Sequence, residues 1–340
     1  MEGDKELRKS IQANLGRWIK KLSCDGDAVE KLRYKMKFVK QLKEMPIAIK
    51  TKEANDQHYE VDTDFYLTIL GDRLKYSSCY FPSESSTLEE AEDCMLEMIC
   101  DRARVTDGLK IMDLGCGWGV TGLYIVEKFP NCDVTCISNS STQAALINKR
   151  AAERGYSNRL RCITADANVF TTEERFDRII SVEMFEHMKN YDNLMSRVSS
   201  WLKPAGYLFT HILCHREYCY HFKESKDEAT GWMAKHFFSG GTMPSSDLFL
   251  YFQKDLSVVD HWNVNGIHYS RTLEAWLDRL DANRDRVYEI LHRQHGDETD
   301  KQIFNWRMFF IYCSEVFKYD GGNEWLVSHH LFQKNQHCKL

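Results

Sequence analysis

The chain has 340 residues, of which 43% are hydrophobic and 28% charged, and its formal net charge at pH 7 is −5. This balance is typical of a folded globular enzyme and, without a basic stripe, argues against a nucleic-acid partner. No apolar run approaches the roughly 18 residues of a membrane span, and the charged segment 1–6 is unlike a secretory signal, so we expect a cytoplasmic protein without membrane insertion.

Residues 1–104 have a mostly helical pattern. Leu15, Trp18, Ile19 and Leu22 recur at spacings of three and four, as on the apolar face of a helix. This pattern predicts a helical N-terminal region, distinct from the core over 105–340.

From Leu109 onward, short apolar runs alternate with amphipathic segments, which predicts βαβ units and a parallel sheet. A helix is expected over 141–154, and Pro204-Ala205-Gly206 predicts a helix stop before the fifth strand. The five expected strands are Lys110–Asp113, Asp133–Ser138, Leu160–Thr164, Phe176–Val182 and Tyr207–Ile212.

Two further β-rich runs, Met308–Phe317 and Trp325–Lys334, flank a glycine-containing turn and predict a C-terminal antiparallel hairpin. Before them, residues 214–305 form a long aromatic insertion, which we interpret as a lid. The predicted fold is α/β and Rossmann-like, a seven-stranded sheet with a C-terminal antiparallel hairpin. It is similar to the layout of class I S-adenosylmethionine (SAM) methyltransferases, although many doubly wound enzymes share it.

The loop Asp113–Gly119 follows the first expected strand, and its glycines allow a tight turn and a close approach to a ligand. The dinucleotide fingerprint is incomplete, because Val120 replaces its third glycine and the segment 138–140 has no acidic residue. A cofactor without a pyrophosphate fits better, and Asp113 suits a positively charged amino group on it.

Polar side chains also follow the third and fourth expected strands. Asp166 could accept a hydrogen bond from an adenine amino group, or else cap a helix. Glu183, Glu186 and His187 come where open α/β sheets bind ligands, and they could take a proton from a substrate. The alternative is a solvated helix turn, since positions i, i+3 and i+4 share a face.

The twelve cysteines include no CxxC pair, so we expect reduced thiols and no metal site. Several, such as Cys132 and Cys136, lie in apolar runs and are expected to fill core positions. The final Cys338-Lys339-Leu340 resembles the peroxisomal Ser-Lys-Leu signal in two positions, which leaves that location open beside an uninformative tail.

Ordered motifs occur along residues 13–334: His58–Val61, Lys75–Phe81, the Gly115 loop, Ile137–Gln143, Glu183–Tyr191, Leu250–Gln253 and Gly266–His268. In these motifs the chain resembles the coclaurine and pavine N-methyltransferases of plant alkaloid metabolism. They belong to the wider cyclopropane-fatty-acid-synthase-like group of methyltransferases.

The resemblance implies SAM as methyl donor and a small amine as substrate, of an aryl-alkylamine or benzylisoquinoline type. It implies that the N-terminal region helps to cover both ligands, and it is compatible with a homodimer. By the same analogy Glu60, Glu183, Glu186 and His187 line the amine site. The candidate cofactor residues are Tyr76, Ser77, Asp113, Gly115, Gly117, Asn139, Gln143, Asp166, Ala167 and Val182.

Methyl transfer from a sulfonium is an in-line displacement that needs a neutral amine. An alkyl amine has a pKa of about 10, so recovering its lone pair at neutral pH costs about 4 kcal/mol. We expect Glu186 and His187 to handle this proton, while Glu60 and Glu183 orient the ammonium. The sequence leaves open which group takes the proton.

Two other functions compete with amine methylation. A lipid C-methyltransferase like the cyclopropane synthases would use a bicarbonate ion as base, and residue matching puts its surroundings at Ser78, Glu186, His211 and Tyr269. Ser78 stands where those enzymes carry cysteine, which disfavours this alternative. The second alternative is an inactive cofactor-binding protein, which calorimetry and an amine assay would distinguish.

Overall fold

The computed structural model describes residues 2–49, 62–223 and 231–335. Its helices are α1 Glu2–Leu22, α2 Ala28–Glu44, α3 Thr63–Ile69, α4 Leu88–Arg102, α5 Val120–Lys128, α6 Ser141–Glu153, α7 Tyr191–Trp201, α8 Gly231–His236, α9 Ile267–Ala282, α10 Arg284–His295 and α11 Thr299–Lys318. Its strands are β1 Lys110–Leu114, β2 Asp133–Ser138, β3 Leu160–Thr164, β4 Phe176–Val182, β5 Leu202–His215, β6 Tyr220–His221, β7 Thr242–Met243, β8 Leu256–Val264 and β9 Trp325–Lys334.

Within the described ranges, seven strands form one sheet in the order β3-β2-β1-β4-β5-β9-β8. Strands β1 to β5 pair in parallel, whereas β9 pairs antiparallel with both β5 and β8. The strand order reverses at β1 and β4, so their carboxyl ends border the crevice where such sheets bind ligands. The predicted α/β class with an antiparallel end is confirmed.

The predicted strand Met308–Phe317 is wrong, because this run lies within α11. Strand β9 pairs with β5 and β8 instead, and β8 comes from the predicted insertion. In α11, Trp306 and Phe310 are buried at helical spacing while Phe309 and Tyr312 are partly buried. Because apolar residues surround much of the helix, no polar stripe reveals its period.

The fifth strand is longer than predicted. It begins at Leu202, directly after α7, so Pro204-Ala205-Gly206 lies inside β5 rather than before it. Ala205 has a positive φ of 59°, and the β4–β5 register shifts between Phe176 and Arg178, opposite this irregular segment. The backbone continues in the sheet despite the proline because this part of β5 tolerates an irregular register.

The sheet separates two apolar clusters, since successive strand residues point to opposite faces. Leu208 and Phe209, neighbours in β5, belong to different clusters. From the expected insertion, β8 joins the main sheet, whereas β6 and β7 pair only with each other in a small second sheet. None of the described helices is long and apolar enough to cross a membrane.

Candidate active site

A cavity with several polar side chains in its wall, called the polar cavity below, lies at the carboxyl ends of β1, β2, β3 and β4. Residues from the loop after each strand line it, together with Ala48 from the N-terminal region and Ser239 from the β6–β7 connection. The candidate cofactor residues in its wall are Gly115, Gly117, Asn139, Gln143, Asp166 and Ala167. The structure therefore brings these six residues, which are far apart in sequence, to one cavity.

At Gly115 the glycine loop is packed too closely for a larger residue. The backbone N–H groups of Gly115 and Cys116 both donate to the carbonyl of Ile137 at 3.0 Å. Gly115 has a φ of 74°, and a Cβ there would lie 2.5 Å from Cγ of Met184. A side chain would therefore strain the backbone and displace the wall residue, as expected of a loop that must approach a ligand closely.

Gln143 is held at the start of α6 with one polar group left over. The Ser140 hydroxyl caps the helix by accepting from the Gln143 backbone N–H at 3.3 Å, and the Ser138 hydroxyl donates to Oε1 of Gln143 at 2.8 Å. Nε2 of Gln143 is buried and has no hydrogen-bond partner among the described residues. An unsatisfied buried donor in a cavity wall fits a ligand hydroxyl, such as that of a ribose.

Asp166 lies in a turn, and no helix begins between β3 and β4, so the helix-cap alternative is wrong and contact with an adenine stays a prediction. Its Oδ1 accepts from the backbone and side-chain nitrogens of Asn168, both at 2.8 Å, which is a local turn contact. It also lines the polar cavity, so it is available to a ligand.

The remaining candidate cofactor residues lie elsewhere. Asp113 is buried behind the loop, where its Oδ2 accepts from the Gly122 backbone N–H at 3.1 Å and burial raises its pKa to about 7. Tyr76 lines a different cavity. Ser77 accepts a hydrogen bond from Lys75, and Val182 is the last residue of β4. Cofactor contact by all ten candidate residues stays a prediction.

An aromatic cavity lies on the other side of Glu183. Its wall combines rings from α1, the β6–β7 region, α9 and α11, with Glu183, Glu186 and His187 as acidic and basic groups. The rings belong to Trp18, Tyr76, Tyr220, Phe222, Phe238, Tyr269, Trp276, Phe309, Tyr312, Phe317 and Trp325. Such a wall suits a flat aromatic ligand that carries a cation.

Glu183 stands where the two cavities meet. Both cavities are lined by Glu183 and His187. The Glu183 backbone has a φ of 48°, in the sparsely populated left-handed region. Of the predicted cluster, Glu183 and His187 thus lie at the boundary between the cavities, and Glu186 lines the aromatic cavity alone.

Three donors fix the Glu183 carboxylate. Oε1 accepts from the Ser78 backbone N–H at 2.9 Å and from Nε2 of His211 at 3.1 Å, and Oε2 accepts from the Tyr269 hydroxyl at 2.6 Å. Burial raises the pKa of Glu183, while the charge of Lys75 and the hydrogen bonds from Ser78 and Tyr269 oppose that rise.

Glu186 has different surroundings. Its Oε1 accepts from the Leu213 backbone N–H at 2.5 Å, whereas its buried Oε2 has no hydrogen-bond partner among the described residues. Burial raises its pKa well above the ordinary value, and the nearby negative charge of Glu183 raises it further. Glu186 and His187 lie in a 3₁₀ turn over Phe185–His187, not in a solvated helix. The half-buried His187 ring packs against Phe238 at 4.7 Å.

Lys75 was not expected at the site. It is fully buried, and its Nζ donates to Oγ of Ser77 and to the Ser78 carbonyl, both at 2.6 Å. Burial lowers its pKa. The sequence does place Lys75 in the motif Lys75–Phe81. A single lysine in a sequence, however, gives no indication of whether its side chain is buried. Glu60 and Cys338-Lys339-Leu340 lie outside the described residues.

No group of His, Cys, Asp and Glu side chains in the described ranges could hold a metal ion.

The family model described as mycolic acid cyclopropane synthetase matches residues 48–324. The (S)-coclaurine N-methyltransferase of Thalictrum flavum subsp. glaucum is 39% identical over 336 residues, 97% of this chain and 92% of that protein. The cyclopropane-fatty-acyl-phospholipid synthase of Escherichia coli (strain K12) is 30% identical over 278 residues, 80% of this chain and 66% of that protein.

A crystal structure of a coclaurine N-methyltransferase bound to N-methylheliamine and S-adenosylhomocysteine (SAH) has a TM-score of 0.93 to this chain. It is 36% identical, and the alignment covers 97% of this chain and 95% of that one.

Proposed function

The chain belongs to the mycolic acid cyclopropane synthetase family and groups there with the coclaurine N-methyltransferases, and we propose that it transfers a methyl group from SAM to the nitrogen of a small aromatic amine. The observation that carries this proposal is that Glu183 and His187 line both cavities. A donor in the polar cavity and an amine in the aromatic cavity would therefore meet at a wall that bears a carboxylate and an imidazole.

The polar cavity fits SAM on two observations. Nε2 of Gln143, which has no partner among the described residues, can bind a ribose hydroxyl, and Gly115 has no room for a side chain beside Met184. When bound, SAM supplies a methyl group on a sulfonium, which an amine displaces in line. The enzyme contributes mainly by aligning the two ligands.

The two carboxylates divide the remaining work. Both oxygens of Glu183 already accept hydrogen bonds, so Glu183 acts as a fixed negative charge that orients the ammonium. Oε2 of Glu186 is buried and has no hydrogen-bond partner among the described residues, and the raised pKa makes the ionised form of Glu186 the stronger base. We assign proton removal to Glu186, with His187 beside it on the same turn. This offsets part of the roughly 4 kcal/mol that deprotonation of the amine costs.

The substrate class follows from the rings of the aromatic cavity. An aryl-alkylamine or a benzylisoquinoline buries its aromatic part against these rings, and the cationic nitrogen gains about 0.5–2 kcal/mol from each well-placed ring face. A lipid chain would gain nothing from the carboxylates in this wall.

Methylation of lipid carbons is the competing function. By analogy with the cyclopropane synthases, the residues expected around a bicarbonate ion are Ser78, Glu186, His211 and Tyr269. In the structure Ser78, His211 and Tyr269 all donate to the Glu183 carboxylate. A side-chain carboxylate thus occupies the hydrogen-bonding groups that an external ion would need, which supports amine over lipid methylation.

The purified chain, SAM and a panel of primary, secondary and tertiary aromatic amines, read by mass spectrometry, test the proposal. We expect methylated amines, and no methyl transfer to unsaturated phospholipid vesicles. Methylated lipid with every amine unchanged would support the competing function. SAM binding without any methylated product would support the inactive binding protein.

The proton-removal step is tested by Glu186→Gln combined with His187→Ala. Turnover at pH 7 should fall about 10²- to 10⁴-fold, the usual range for loss of a general base. The Kd of SAM is measured in Glu186→Gln alone, where it should change little, because Glu186 lines only the aromatic cavity whereas His187 lines both. The exposed Glu153→Gln serves as the matched control. Unchanged turnover in the double variant contradicts the assignment.

The cellular location and the oligomeric state of the protein are also proposals. We propose a cytoplasmic enzyme and a homodimer, with a fluorescent fusion at the N-terminus and light scattering as the tests. Fluorescence in peroxisomes would favour the alternative suggested by Cys338-Lys339-Leu340.

A further inference from the structure

A row of hydrogen-bonded side chains leads away from Glu183 through the sheet. Nε2 of His211 lies 3.1 Å from Oε1 of Glu183, and Nδ1 of His211 lies 3.0 Å from Nε2 of His329. Nδ1 of His329 lies 2.8 Å from Nη1 of Arg102. The row therefore joins the active-site carboxylate to a guanidinium at the end of α4.

The row crosses buried structure. His211 on β5 and His329 on β9 are opposite each other in the antiparallel pairing, and both are fully buried. Arg102 is half-buried, and its guanidinium lies over the Trp262 ring at 5.1 Å. The sheet thus places two imidazoles where water cannot replace a missing hydrogen bond.

Arginine determines the direction of every hydrogen bond in the row. A guanidinium can only donate, so Nδ1 of His329 must accept and its proton must be on Nε2. That proton is donated to Nδ1 of His211, which leaves the His211 proton on Nε2, facing Glu183. A second proton on either ring would set two N–H groups against each other, so both histidines are neutral. Burial accordingly lowers the pKa of both imidazoles well below the usual value.

We propose that Arg102 and His329 are positioning residues that lock His211 in the tautomer that donates to Glu183, and thereby hold Glu183 as the fixed anion of the active site. This inference rests on the proposed function for its catalytic consequence, but the tautomers themselves are independent of it. Neither Arg102 nor His329 lines the two cavities described above.

Without Arg102 only the ionised Glu183 carboxylate, which can accept but not donate, still imposes this direction. When Glu183 takes up a proton, nothing at the other end of the row opposes its reversal. His329 can then carry its proton on Nδ1, and His211 can turn its proton towards His329. His211 would present a lone pair to Glu183, which an ionised carboxylate cannot satisfy. The pKa of Glu183 would therefore rise, and the acid limb of the pH profile would move to higher pH.

Other charged and titratable groups also face this row and contribute to any pH profile. The cation of Lys75 acts on Glu183, His211 and His329, and Tyr80 and Asp260 act on Arg102. Further groups near the row are Glu186, His187, Tyr269, Cys313 and His330. None of these side chains is itself replaced in a variant at Arg102 or His329. A shift of the acid limb that occurs only in these variants therefore reports on the hydrogen-bonded row.

The first test uses Arg102→Met, with Arg102→Lys as the conservative variant that keeps a cationic donor. For Arg102→Met we expect a fall in kcat of about tenfold at pH 7, an acid limb about one pH unit higher, and a KM for SAM within about twofold of the original. Arg102→Lys should restore most of kcat and the original acid limb. The exposed Arg284→Met is the matched control for loss of an arginine.

A second pair of variants covers the case in which Arg102→Met fails to fold. In His329→Gln, the amide oxygen can accept from Arg102 and the amide nitrogen can donate to His211, so the direction is kept. In His329→Leu the direction is lost. We expect the Gln variant to retain the wild-type acid limb and the Leu variant to lose it.

Long-range ¹H–¹⁵N spectra of the full chain labelled in histidine read the tautomers directly. His211 and His329 should be neutral with the proton on Nε2 between pH 6 and pH 8, and Arg102→Met should introduce the Nδ1 form. A wild-type His211 protonated on Nδ1, or spectra and acid limb unchanged in Arg102→Met, would overturn the inference. If no amine is methylated, the proposed function fails while the spectra still decide the tautomers.

Discussion

Glu183 and Glu186 are three positions apart, but their surroundings give them different chemistry. Glu183 accepts from three donors and has no free oxygen, whereas Glu186 accepts from one backbone N–H and keeps Oε2 unpartnered within the described structure. Two carboxyl groups whose environments differ in this way can act as a fixed anion and as a base. The division of labour thus arises from hydrogen-bond supply and not from residue type.

Asp113→Asn tests a buried charge behind the glycine loop. Burial raises the Asp113 pKa from 3.8 to about 7. At pH values between these two pKa values, the folded protein keeps a proton that the unfolded chain has lost. Stability therefore falls as pH rises through this window, by at most about 4 kcal/mol. Asparagine stays neutral and can still accept from Gly122.

In urea unfolding, the Asn variant should become increasingly more stable than wild type between pH 5 and pH 7, with no further gain above pH 8. If Asp113 also binds the amino group of SAM, the variant should bind SAM at least tenfold more weakly. The exposed Asp72→Asn is the control. A stability difference independent of pH would contradict the buried charge.

At the scale of elements, the junction between β8, α9 and β9 positions a donor to Glu183. Gly266 precedes α9, its N–H donates to the Gly322 carbonyl at 2.9 Å, and Tyr269 follows in the first turn of the helix. A Cβ at Gly266 would collide with the carbonyl oxygens of Trp325 and Phe317. The close approach of three backbone segments therefore fixes where α9 begins and where Tyr269 points.

Gly266→Ala should lower the free energy of unfolding by about 1–3 kcal/mol, because the obstructing atoms belong to backbone and cannot rotate away. Turnover should fall as well, since α9 would move Tyr269 away from Glu183. Thermal unfolding and steady-state kinetics measure both effects. Gly3→Ala is the matched control, because a Cβ there meets no neighbour. Equal stability of the two variants would show that α9 tolerates the shift.

At the scale of the whole molecule, the aromatic cavity is assembled from distant parts of the chain. Trp18 of α1 packs against Tyr220 of β6 with ring centroids 5.4 Å apart, and both line the cavity with residues of α9 and α11. The polar cavity draws mainly on the loops after β1 to β4. The cavity proposed for the methyl donor thus depends on the sheet, and the cavity proposed for the amine depends on the elements packed over the sheet.

Trp18→Ala should therefore affect the amine and not SAM. We expect the KM of the amine to rise about tenfold, since one large apolar ring of the wall is lost, while the KM of SAM stays within about twofold. Phe304→Ala removes an exposed ring of α11 and should change neither value. A rise in both KM values would mean that α1 supports the fold rather than the amine site.

The sequence by itself determined the parallel sheet and the cluster after β4, because strand alternation, the glycine loop and short motifs are local patterns. It could not place Met308–Phe317, since apolar residues on nearly all sides of a helix remove the period that distinguishes helix from strand. Only the tertiary structure joined Glu183 to His211, His329 and Arg102. These hydrogen bonds join residues 28, 118 and 227 positions apart, so their burial and direction are contained in no local pattern.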